Sequence, residues 1–547
     1  MRRRFRLMLL GALLAPVISL AGTARAGPTP LPPQPPPLPW PQFHHDEQHT
    51  GVAEGSGNVY RGIGPQLRWQ FRVTDAPEVA ALTDPANSVN YRWTSSLPLA
   101  DLDGDGKLEV IVTTPDGIAG PDHVIALRDR AGLVPPVEVM WIYTSPVAYP
   151  AGNINQGFDT YSPALADADD DGRPDVIIAT KDGHVRALSG LTGAQIWDYE
   201  LGRRTEAGPM VADLDGDGRN EVIVVTDCPV IPIVYCPNPG EGARLVVLPI
   251  SPTGTITPLW TLNYPYKMDS AEPAVADFDA SDGHARKAVI MGSWGGELLA
   301  AWQGPSQVYT AALSLRSLDV TATLAVTPVI RTSPLVYDFG QGQTIVFGWL
   351  PTDDRAGFGR LTSVGLKTNW ATGAYTFTPR WTLDTYDTWK SSPTLLPVPG
   401  NPPLVVMGYG LAFPKDGQSG PVGECRADTV FGGVVAFNHD GSVAWDHNFH
   451  DEGRAEGNIR ASAAVADLDG DGRKDVILPV GCYGKLYSYD SDGVLNWTRQ
   501  LGPRSQGSPS IGDLDGDGKL ELVMSSYDGQ VWVFSGGARA FVPVARR

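Results

Sequence analysis

The stretch Asp101-Leu-Asp-Gly-Asp-Gly-Lys-Leu-Glu109 places carboxylates at its first, third, fifth and ninth positions. Alternate acidic side chains around a glycine turn are the pattern by which a short loop surrounds a hard cation such as Ca²⁺, and the backbone carbonyl at position 7 adds an oxygen. An EF-hand would need a glutamate at position 12 and a following helix. Val112 at that position lies instead in a β-branched run typical of a strand. The stretch therefore predicts a calcium loop between two strands.

The same spacing recurs four times, and an apolar run follows each copy. One acidic turn is common in surface loops, but five copies that share a ninth-position acid favour calcium binding. The predicted ligands, with the position-7 carbonyl of each loop included, are Asp101, Asp103, Asp105, Lys107 and Glu109; Asp167, Asp169, Asp171, Arg173 and Asp175; Asp213, Asp215, Asp217, Arg219 and Glu221; Asp467, Asp469, Asp471, Arg473 and Asp475; and Asp513, Asp515, Asp517, Lys519 and Glu521.

Incomplete copies extend the repeat beyond these five loops. Taking the first position of each loop as the mark of its repeat, a sixth mark is Asp277, a seventh is Asp338, and an eighth, at Pro397, has lost every acid. A proline four residues before the mark supports this frame, at Pro163, Pro209, Pro273, Pro334, Pro393 and Pro509. The frame therefore predicts eight repeats.

Each repeat holds one short strand before its loop and three after it. Four strands in about 45 or more residues are typical of a propeller blade. Six repeats carry a fourth-strand tryptophan, which we interpret as filling the core between sheets: Trp141, Trp197, Trp260, Trp381, Trp445 and Trp497. The last repeat ends after a third strand, Val531-Trp-Val-Phe534, and an isolated strand around Trp69 supplies its fourth. We predict an all-β, eight-bladed β-propeller of four-stranded blades, spanning about residues 66 to 538 and closed by an N-terminal strand.

The five loops resemble the FG-GAP/VCBS repeats of integrin α subunits and of many secreted bacterial proteins, whose DxDxDGxxD loops bind calcium between adjacent strands. The eight-blade count and the stretch Trp40-Pro-Gln-Phe-His-His-Asp-Glu-Gln-His-Thr-Gly51 are similar to propellers of the quinoprotein type. Gly512-Asp-Leu-Asp-Gly-Asp-Gly518 also resembles the repeat of some rhamnogalacturonan lyases, but the match covers no catalytic site. These resemblances imply a calcium-bearing propeller.

The N-terminus has the three parts of a secretory signal: basic residues 1–6, an apolar run over 7–20, and an A-x-A cleavage site at 24–26. We therefore predict a signal peptide over 1–26, a proline-rich linker over 27–42 and a single propeller domain over 43–547. No later segment is apolar enough to span a membrane. The predicted location is secreted, periplasmic or on the cell surface.

Charge and cysteine content narrow the class of protein further. The formal net charge is −19, and removing the five arginines of the predicted signal leaves −24, mostly from loop acids. That balance argues against nucleic acid as a partner. Four cysteines fit an oxidising compartment. Three pairings remain possible, with Cys228 and Cys236 close enough in sequence to close a small loop and Cys425 and Cys482 in matching loops of neighbouring repeats.

A basic residue precedes the first strand in seven repeats, and aromatic residues accompany several of them. These stretches lead into the innermost strands, so we expect them near the channel mouth opposite the calcium loops. A cationic, aromatic ring there would suit an anionic ligand such as an acidic polysaccharide. Solubilising charge paired with nearby acids is the competing interpretation. The predicted ligand-binding residues are Arg92, Trp93, Arg204, Lys267, Arg331, Trp389, Lys390, Arg460 and Arg504.

The sequence contains no nucleophile elbow, HExxH motif, phosphate loop, haem-attachment motif or vicinal cysteine pair. It therefore names no catalytic residue. His44, His45 and His49 fit a packed N-terminal clasp better than a metal site. We expect a binding or adhesion module for an acidic glycan or a surface protein. The alternatives are a polysaccharide lyase and, weakened by the missing cysteine and haem motifs, a quinone-dependent dehydrogenase.

Overall fold

The structure is a computed structural model. It describes residues 39–72, 96–114, 123–130, 135–146, 162–180, 183–203, 205, 207–226, 242–251, 255–266, 268, 271–278, 286–318, 328–351, 358–386, 391–410, 432–449, 459, 461–480, 484–501, 505, 507–526 and 529–536. The predicted signal peptide, most of the predicted linker and all four cysteines lie outside these residues.

Two strands, β1 (Val52–Ser56) and β2 (Gln66–Arg72), precede the blades. Blades 1 to 4 each hold four antiparallel strands in chain order. They are β3 (Leu99–Ala100), β4 (Glu109–Thr114), β5 (His123–Asp129) and β6 (Val137–Thr144); β7 (Ala164–Ala166), β8 (Asp175–Thr180), β9 (His184–Leu188) and β10 (Gln195–Glu200); β11 (Met210–Ala212), β12 (Glu221–Val225), β13 (Arg244–Pro249) and β14 (Trp260–Asn263); and β15 (Ala274–Ala276), β16 (Ala288–Gly292), β17 (Glu297–Gln303) and β18 (Val308–Ser314).

Blade 5 follows a turn of 3₁₀-helix at Leu315–Ser317, and its first strand is split into two pieces that both pair with the second. Its strands are β19 (Val329–Ile330), β20 (Leu335–Asp338), β21 (Gln343–Leu350), β22 (Phe358–Thr368) and β23 (Tyr375–Tyr386). The remaining strands are β24 (Thr394–Leu396), β25 (Leu404–Gly410), β26 (Gly432–Phe437) and β27 (Val443–Asn448) in blade 6; β28 (Ala464–Asp467), β29 (Asp475–Val480), β30 (Lys485–Tyr489) and β31 (Leu495–Gln500) in blade 7; and β32 (Ser510–Gly512), β33 (Glu521–Ser526) and β34 (Gln530–Ser535) in blade 8.

Strand β2 completes blade 8. It pairs antiparallel with β34, which sets Trp69 opposite Val533 and Phe71 opposite Val531. Both aromatic side chains are buried in the core that blade 8 shares with its neighbours. The pairing removes a free sheet edge, which would otherwise invite association with another chain. The predicted eight-bladed propeller and its closure by an N-terminal strand are both confirmed.

The burial of each strand explains its sequence pattern. Second strands such as β8, β29 and β33 are buried along their whole length, so their sequences are mostly apolar runs without alternation. Fourth strands lie at the outer edge and alternate, as in β14, where Trp260 and Leu262 are partly buried between exposed neighbours. The apolar clusters join adjacent blades, and in one of them Ile111 and Trp141 pack with Val176 of the next blade.

Residues 40–57, here called the axial segment, run along the free inner edges of the blades. In seven blades the amide two residues before the mark donates to this segment over 2.7–3.0 Å. The donors and acceptors are Leu99 to the Trp40 carbonyl, Leu165 to Pro41, Val211 to the Gln42 side chain, Val275 to Glu47, Val336 to Gln48, Leu395 to Thr50 and Val465 to Gly51. Strand β1 then pairs parallel with β28. The chain itself therefore occupies the channel-facing edges, and the last three residues of the predicted linker belong to this packing.

Two residues of the axial segment show why its sequence is so specific. Asp46 holds the central turn, because its Oδ1 accepts the amides of Gln48 at 3.1 Å and Thr50 at 2.9 Å. Gly51 has a φ of +67°, and a Cβ there would lie 2.8 Å from the Thr394 side chain. A larger residue at position 51 would therefore be strained and would push the segment off the blades.

Buried serines five residues before the mark link neighbouring blades. In five links the backbone amide at this position donates to the serine hydroxyl of the next blade: Ser96 to Ser162 (3.1 Å), Glu272 to Ser333 (3.0 Å), Ser333 to Ser392 (2.9 Å), Ser392 to Ser462 (2.9 Å) and Ser462 to Ser508 (3.0 Å). The Leu97 amide joins blade 1 to blade 8 by donating to the Ser510 hydroxyl at 3.1 Å. Blade 3 has Gly208 at this position and cannot accept such a bond.

The fourth-strand tryptophans also lie between blades. Their indole N–H groups donate to a backbone carbonyl of the following blade: Trp141 to Gly190 (2.6 Å), Trp197 to Ile250 (3.0 Å), Trp381 to His439 (2.8 Å) and Trp445 to Ser491 (3.1 Å). Each bond satisfies the one polar group of a large apolar side chain. The structure thus places these four tryptophans as the sequence interpretation expects, in the packing between sheets.

A chain that begins at residue 80 lacks both the axial segment and β2. We expect it to aggregate, because the edge of β34 and the inner amides of seven blades lose their partners. Size-exclusion chromatography and thermal melting would measure this. A chain that begins at residue 39 is the control, and it should behave like the full-length protein. If the chain that begins at residue 80 is a soluble monomer and melts at the same temperature as the full-length protein, the closure by β2 is contradicted.

Candidate metal centres

Five acidic loops connect the first and second strands of blades 1, 2, 3, 7 and 8. All adopt one conformation, in which the position-1 carboxylate accepts the amide of the position-6 glycine at 2.8–3.0 Å. The position-9 carboxylate reaches back to the amide of position 2 at 2.7–3.0 Å. The position-6 glycines have φ values of +81° to +87°, which explains the residue type at that turn.

Each loop brings three carboxylates together. One oxygen from each of three acids lies within 4.8 Å of the others, a spacing that could hold a metal ion. In four loops the three acids occupy positions 1, 3 and 9, whereas Asp467, Asp469 and Asp471 converge in blade 7. The predicted position-5 ligand thus joins the closest group in one loop. In all five loops its Oδ1 accepts the position-7 amide at 2.8–2.9 Å. The donors are all oxygens, which suits a hard cation.

The electrostatics of the loops favour a cation. Burial raises the pKa of the position-9 acids, and the carboxylates at positions 3 and 5 raise it further. The values are about 7 for Glu109, 6 for Asp175, 8 for Glu221, 7 for Asp475 and 8 for Glu521. Each group is therefore costly to ionise beside its neighbours unless a positive charge relieves the repulsion. The donor set and this repulsion both fit a divalent metal ion.

The incomplete repeats of blades 4, 5 and 6 do not form such clusters among the described residues. Asp338 in blade 5 caps its turn, accepting the amides of Gly340 at 2.8 Å and Gly342 at 2.9 Å. Beside blade 6, where the acids are missing, an open cavity of about 450 Å³ lies against blade 7. The carboxylates of Asp440 and Asp492 line it, so it is unfavourable for an anion.

Of the predicted ligand-binding ring, the structure describes one member. Arg331 is buried, and its guanidinium carbon lies 4.3 Å from the centroid of the Trp294 ring. This contact is a cation–π interaction within the protein. The other members, Arg92, Trp93, Arg204, Lys267, Trp389, Lys390, Arg460 and Arg504, lie outside the described residues. The ring remains a prediction, and Arg331 has a packing role.

The three histidines of the axial segment pack rather than form a metal cluster in the described residues. The Nδ1 atoms of His44 and His49 lie 3.3 Å and 3.1 Å from the carbonyls of His49 and Pro334. Burial, together with His49, lowers the pKa of His44 to about 3. Burial lowers the pKa of His49 to about 4. Both side chains are therefore neutral in the folded protein near neutral pH.

Three sets of contacts in the structure were not predicted from the sequence: the serine links, the bonds of the axial segment, and the arginines beside the acidic loops. The serine links carried a signal, since serine recurs five residues before the mark. The axial segment was recognised as a clasp, but its bonds to seven blades had no local signal. Arg61, Arg68 and Arg128, which pair with loop carboxylates, also had none; Arg68 and Asp515, for example, are 447 residues apart in the sequence.

Comparison with known families agrees with the loop geometry. A sequence model of the FG-GAP-like repeat family matches residues 167–224 and 467–524. Each match begins at the first position of an acidic loop and runs through the next loop, so together they cover four of the five. Comparison with curated protein sequences found no match.

Solved structures share the fold at low sequence identity. A europium-containing methanol dehydrogenase matches with a TM-score of 0.54 and 13% identity, over 91% of this chain and 98% of that chain. The quinohemoprotein alcohol dehydrogenase from Comamonas testosteroni matches with a TM-score of 0.52 and 13% identity, over 92% and 81%. The chain therefore carries FG-GAP-like repeats on an eight-bladed propeller that resembles quinoprotein-type propellers. Among the described residues, no helix is long and apolar enough to cross a membrane.

The buried histidines predict a loss of stability in acid. The unfolded chain binds protons at histidine near pH 6.5, whereas folded His44 and His49 do so only near 3 and 4. Unfolding is therefore favoured as the pH falls below 6.5, by about 1.4 kcal/mol per pH unit for each fully buried histidine.

A double variant, His44→Asn and His49→Asn, tests this because asparagine tolerates the positive φ of both positions. As the pH falls from 7.5 to 4.5, the melting temperature of the variant should rise relative to that of the wild type, because the position-9 acids titrate alike in both proteins. His439→Asn, in a half-buried turn of blade 6, is the control and should follow the wild type. If the melting temperatures of the double variant and the wild type change in parallel with pH, His44 and His49 do not cause a loss of stability in acid.

Proposed function

We propose that this chain is an exported, calcium-stabilised propeller that acts as a binding or adhesion module. The observation that carries the proposal is the convergence of three carboxylates in each of five identically folded loops. The signal-like pattern of residues 1–26 and the FG-GAP-like matches support export, and the oxygen-only donor sets support calcium. Exported compartments also hold enough calcium to fill sites of the weaker, extracellular kind.

Calcium would stabilise the native state because it binds the folded loops. When the free calcium concentration is roughly 100 times the Kd of a site, that site adds about 2.7 kcal/mol to the free energy of unfolding. In the propeller the loops join the buried first and second strands, so ordering them supports the inner half of each blade. Magnesium fits less well, since it demands a smaller and more regular octahedral shell.

Chelation should therefore destabilise the protein. We expect EDTA to lower the melting temperature, and calcium to restore it more fully than magnesium does at equal concentration. Differential scanning calorimetry, with calcium content measured by mass spectrometry, would check this. An unchanged melt in EDTA, together with fewer than about two ions per chain, would reject calcium as the stabilising ion.

The axial segment favours a binding module over an enzyme with a cofactor on the propeller axis. Trp40, His44 and His49 are buried, and the segment bonds to the inner edges of seven blades. An axial cofactor would have to displace these contacts. Binding surfaces are therefore expected at the ends of the sheets, where connections between strands gather.

We place the ligand on the face opposite the acidic loops. The connections between second and third strands, and those between blades, leave from that face. The predicted basic residues fall in the connections between blades, and a positive ring on an acidic protein would concentrate anions there. The acidic cavity beside blade 6 lies on the loop side, so an acidic glycan would avoid it.

Replacing Arg92, Arg204 and Arg460 together by serine tests the ligand. We expect this variant to lose binding to an acidic polysaccharide such as polygalacturonate, with the calcium content and the melting temperature unchanged. Arg331 is left intact because it is buried against Trp294. Affinity should be measured by surface plasmon resonance at two salt concentrations, since a shared field weakens as salt rises.

The control removes positive charge from the loop side, by Arg130→Ser and Lys367→Ser. Arg130 directly follows the third strand of blade 1, and Lys367 is the second-last residue of the third strand of blade 5. This double variant should bind the polysaccharide as the wild type does. Equal binding by the triple variant and the wild type would exclude the ring as the ligand site.

A further inference from the structure

Arg61 contacts the acidic loop of blade 7. Its Nε lies 2.5 Å from Asp469 Oδ2, and a terminal nitrogen lies 2.7 Å from Asp471 Oδ2. Asp490, from the turn between the third and fourth strands of the same blade, lies 3.6 Å from the other terminal nitrogen. One guanidinium therefore contacts two predicted metal ligands and the neighbouring Asp490.

Two more arginines make the same kind of contact. Arg68 pairs with Asp515 of the blade 8 loop at 2.8 Å and with buried Asp129 at 2.5 Å. Arg128 pairs with Asp103 of the blade 1 loop and lies 3.4 Å from Glu109 Oε1. Three of the five acidic loops thus have a fixed positive charge from the protein itself.

The arginines contact the carboxylate oxygens that the loops leave available. Asp103 Oδ1 accepts the Asp105 amide, Asp469 Oδ1 accepts the Asp471 amide, and Asp515 Oδ1 accepts the Asp517 amide, all at 3.1–3.2 Å. The guanidinium groups lie instead on Oδ2 of each of these residues. An ion and an arginine would therefore use neighbouring or shared oxygens.

The loops of blades 2 and 3 differ. Within the described part of the chain, no arginine or lysine pairs with a predicted ligand there. The nearest ion pair joins Arg219 to Asp170 at 3.3 Å, and both side chains are more than half exposed. Asp170 occupies position 4 of its loop, which supplies no predicted ligand. Arg286 acts on Asp215 of the blade 3 loop through its charge alone, without an ion pair among the described residues. In neither loop, therefore, does a described arginine or lysine pair directly with a predicted ligand.

The arginine-paired loops are consecutive around the ring, in blades 7, 8 and 1, where the N-terminal part of the chain closes it. Arg61 lies between the axial segment and β2, and Arg68 lies within β2. The Gly57 amide donates to the Asp467 carbonyl at 2.7 Å, so the closing segment also bonds to the blade 7 loop through its backbone. The three arginines that pair with loop carboxylates are thus concentrated in blades 7, 8 and 1, which we call the seam.

We propose that the five loops form two classes: seam loops in blades 7, 8 and 1, where arginine acts as a built-in counter-cation, and open loops in blades 2 and 3, which bind calcium more tightly. This inference rests on the proposed calcium function. Loop affinity depends on the number of ligand charges, and arginine reduces the net charge of a seam loop by one. The seam stays neutralised by the protein, whereas the open loops rely on the ion.

Arg128→Gln and Arg130→Gln form a matched pair that tests the proposal. The two residues are two positions apart, each lies within 3.9 Å of Glu138, and each substitution removes one charge. Only Arg128 contacts loop carboxylates. Calorimetric titration of EDTA-treated, full-length protein with calcium chloride should resolve two tight sites and a weaker class in the wild type.

Arg128→Gln should move one weak site toward the tight class, with an affinity gain of about tenfold for removing one nearby charge in hydrated surroundings. Arg130→Gln should leave every affinity at the wild-type value. If Arg128→Gln does not fold, Arg61→Gln serves the same purpose, since Arg61 is 41% exposed and contacts a different loop.

Five equivalent sites in the wild type, or equal titrations for Arg128→Gln and Arg130→Gln, would overturn the two classes while leaving calcium binding intact. A wild-type protein that binds no calcium would overturn both the proposed function and this inference. The total number of calcium ions bound per chain thus tests the proposed calcium function. The differences in affinity between sites test the role of the arginines.

Discussion

Burial between adjacent blades is the interaction on which the rest of the structure depends, because each apolar cluster is shared by neighbouring sheets. Val222 of blade 3, for example, is buried with Ala187 of blade 2 in one cluster. A sheet of four short strands has two faces to cover and little interior of its own. The first and last blades must therefore meet. Strand β2 joins them, because it pairs with β34 of the last blade and the chain continues from it to blade 1.

Polar contacts between blades follow the same logic and run mostly in one direction around the ring. Serine hydroxyls accept amides from the preceding blade near the channel, and tryptophan indoles donate to the following blade near the rim. In blades 1, 2, 3, 7 and 8 the acidic loop follows the first strand, so in chain order it lies between the serine contact and the tryptophan contact. Repulsion among their carboxylates opposes the packing, so neutralisation, by an ion or by arginine, supports the same interfaces.

Local patterns in the sequence predicted much of this fold. Five loops, the strand periodicity and the orphan strand at Trp69 were enough for the blade count and the closure, because each depends on residues close together in the repeat. The loop conformation followed from glycine and aspartate spacing. In four loops the position-9 acid lies in the group of three carboxylates that could hold a metal ion, so the spacing indicated which side chains come together.

Features that depend on distant pairing could not be predicted. Arg61 meets Asp469 across 408 residues, and no periodic signal marks it. Arg331 was grouped with basic residues of matching position, yet the split first strand of blade 5 places it beside Trp294 in a buried contact. The axial segment was visible as a motif, but its bonds to successive blades require the ring to exist first.

That requirement has a consequence for how the chain folds. Residues 40–51 are made before any blade, yet their partners extend from Leu99 to Val465. Antiparallel neighbours within a blade are close in sequence and can pair as they are made, whereas these contacts have very high contact order. The segment can complete its bonds only after the seventh blade has been synthesised, and β2 only after β34. Closure is therefore a late step, and until it occurs the chain is an open row of blades with exposed edges at both ends.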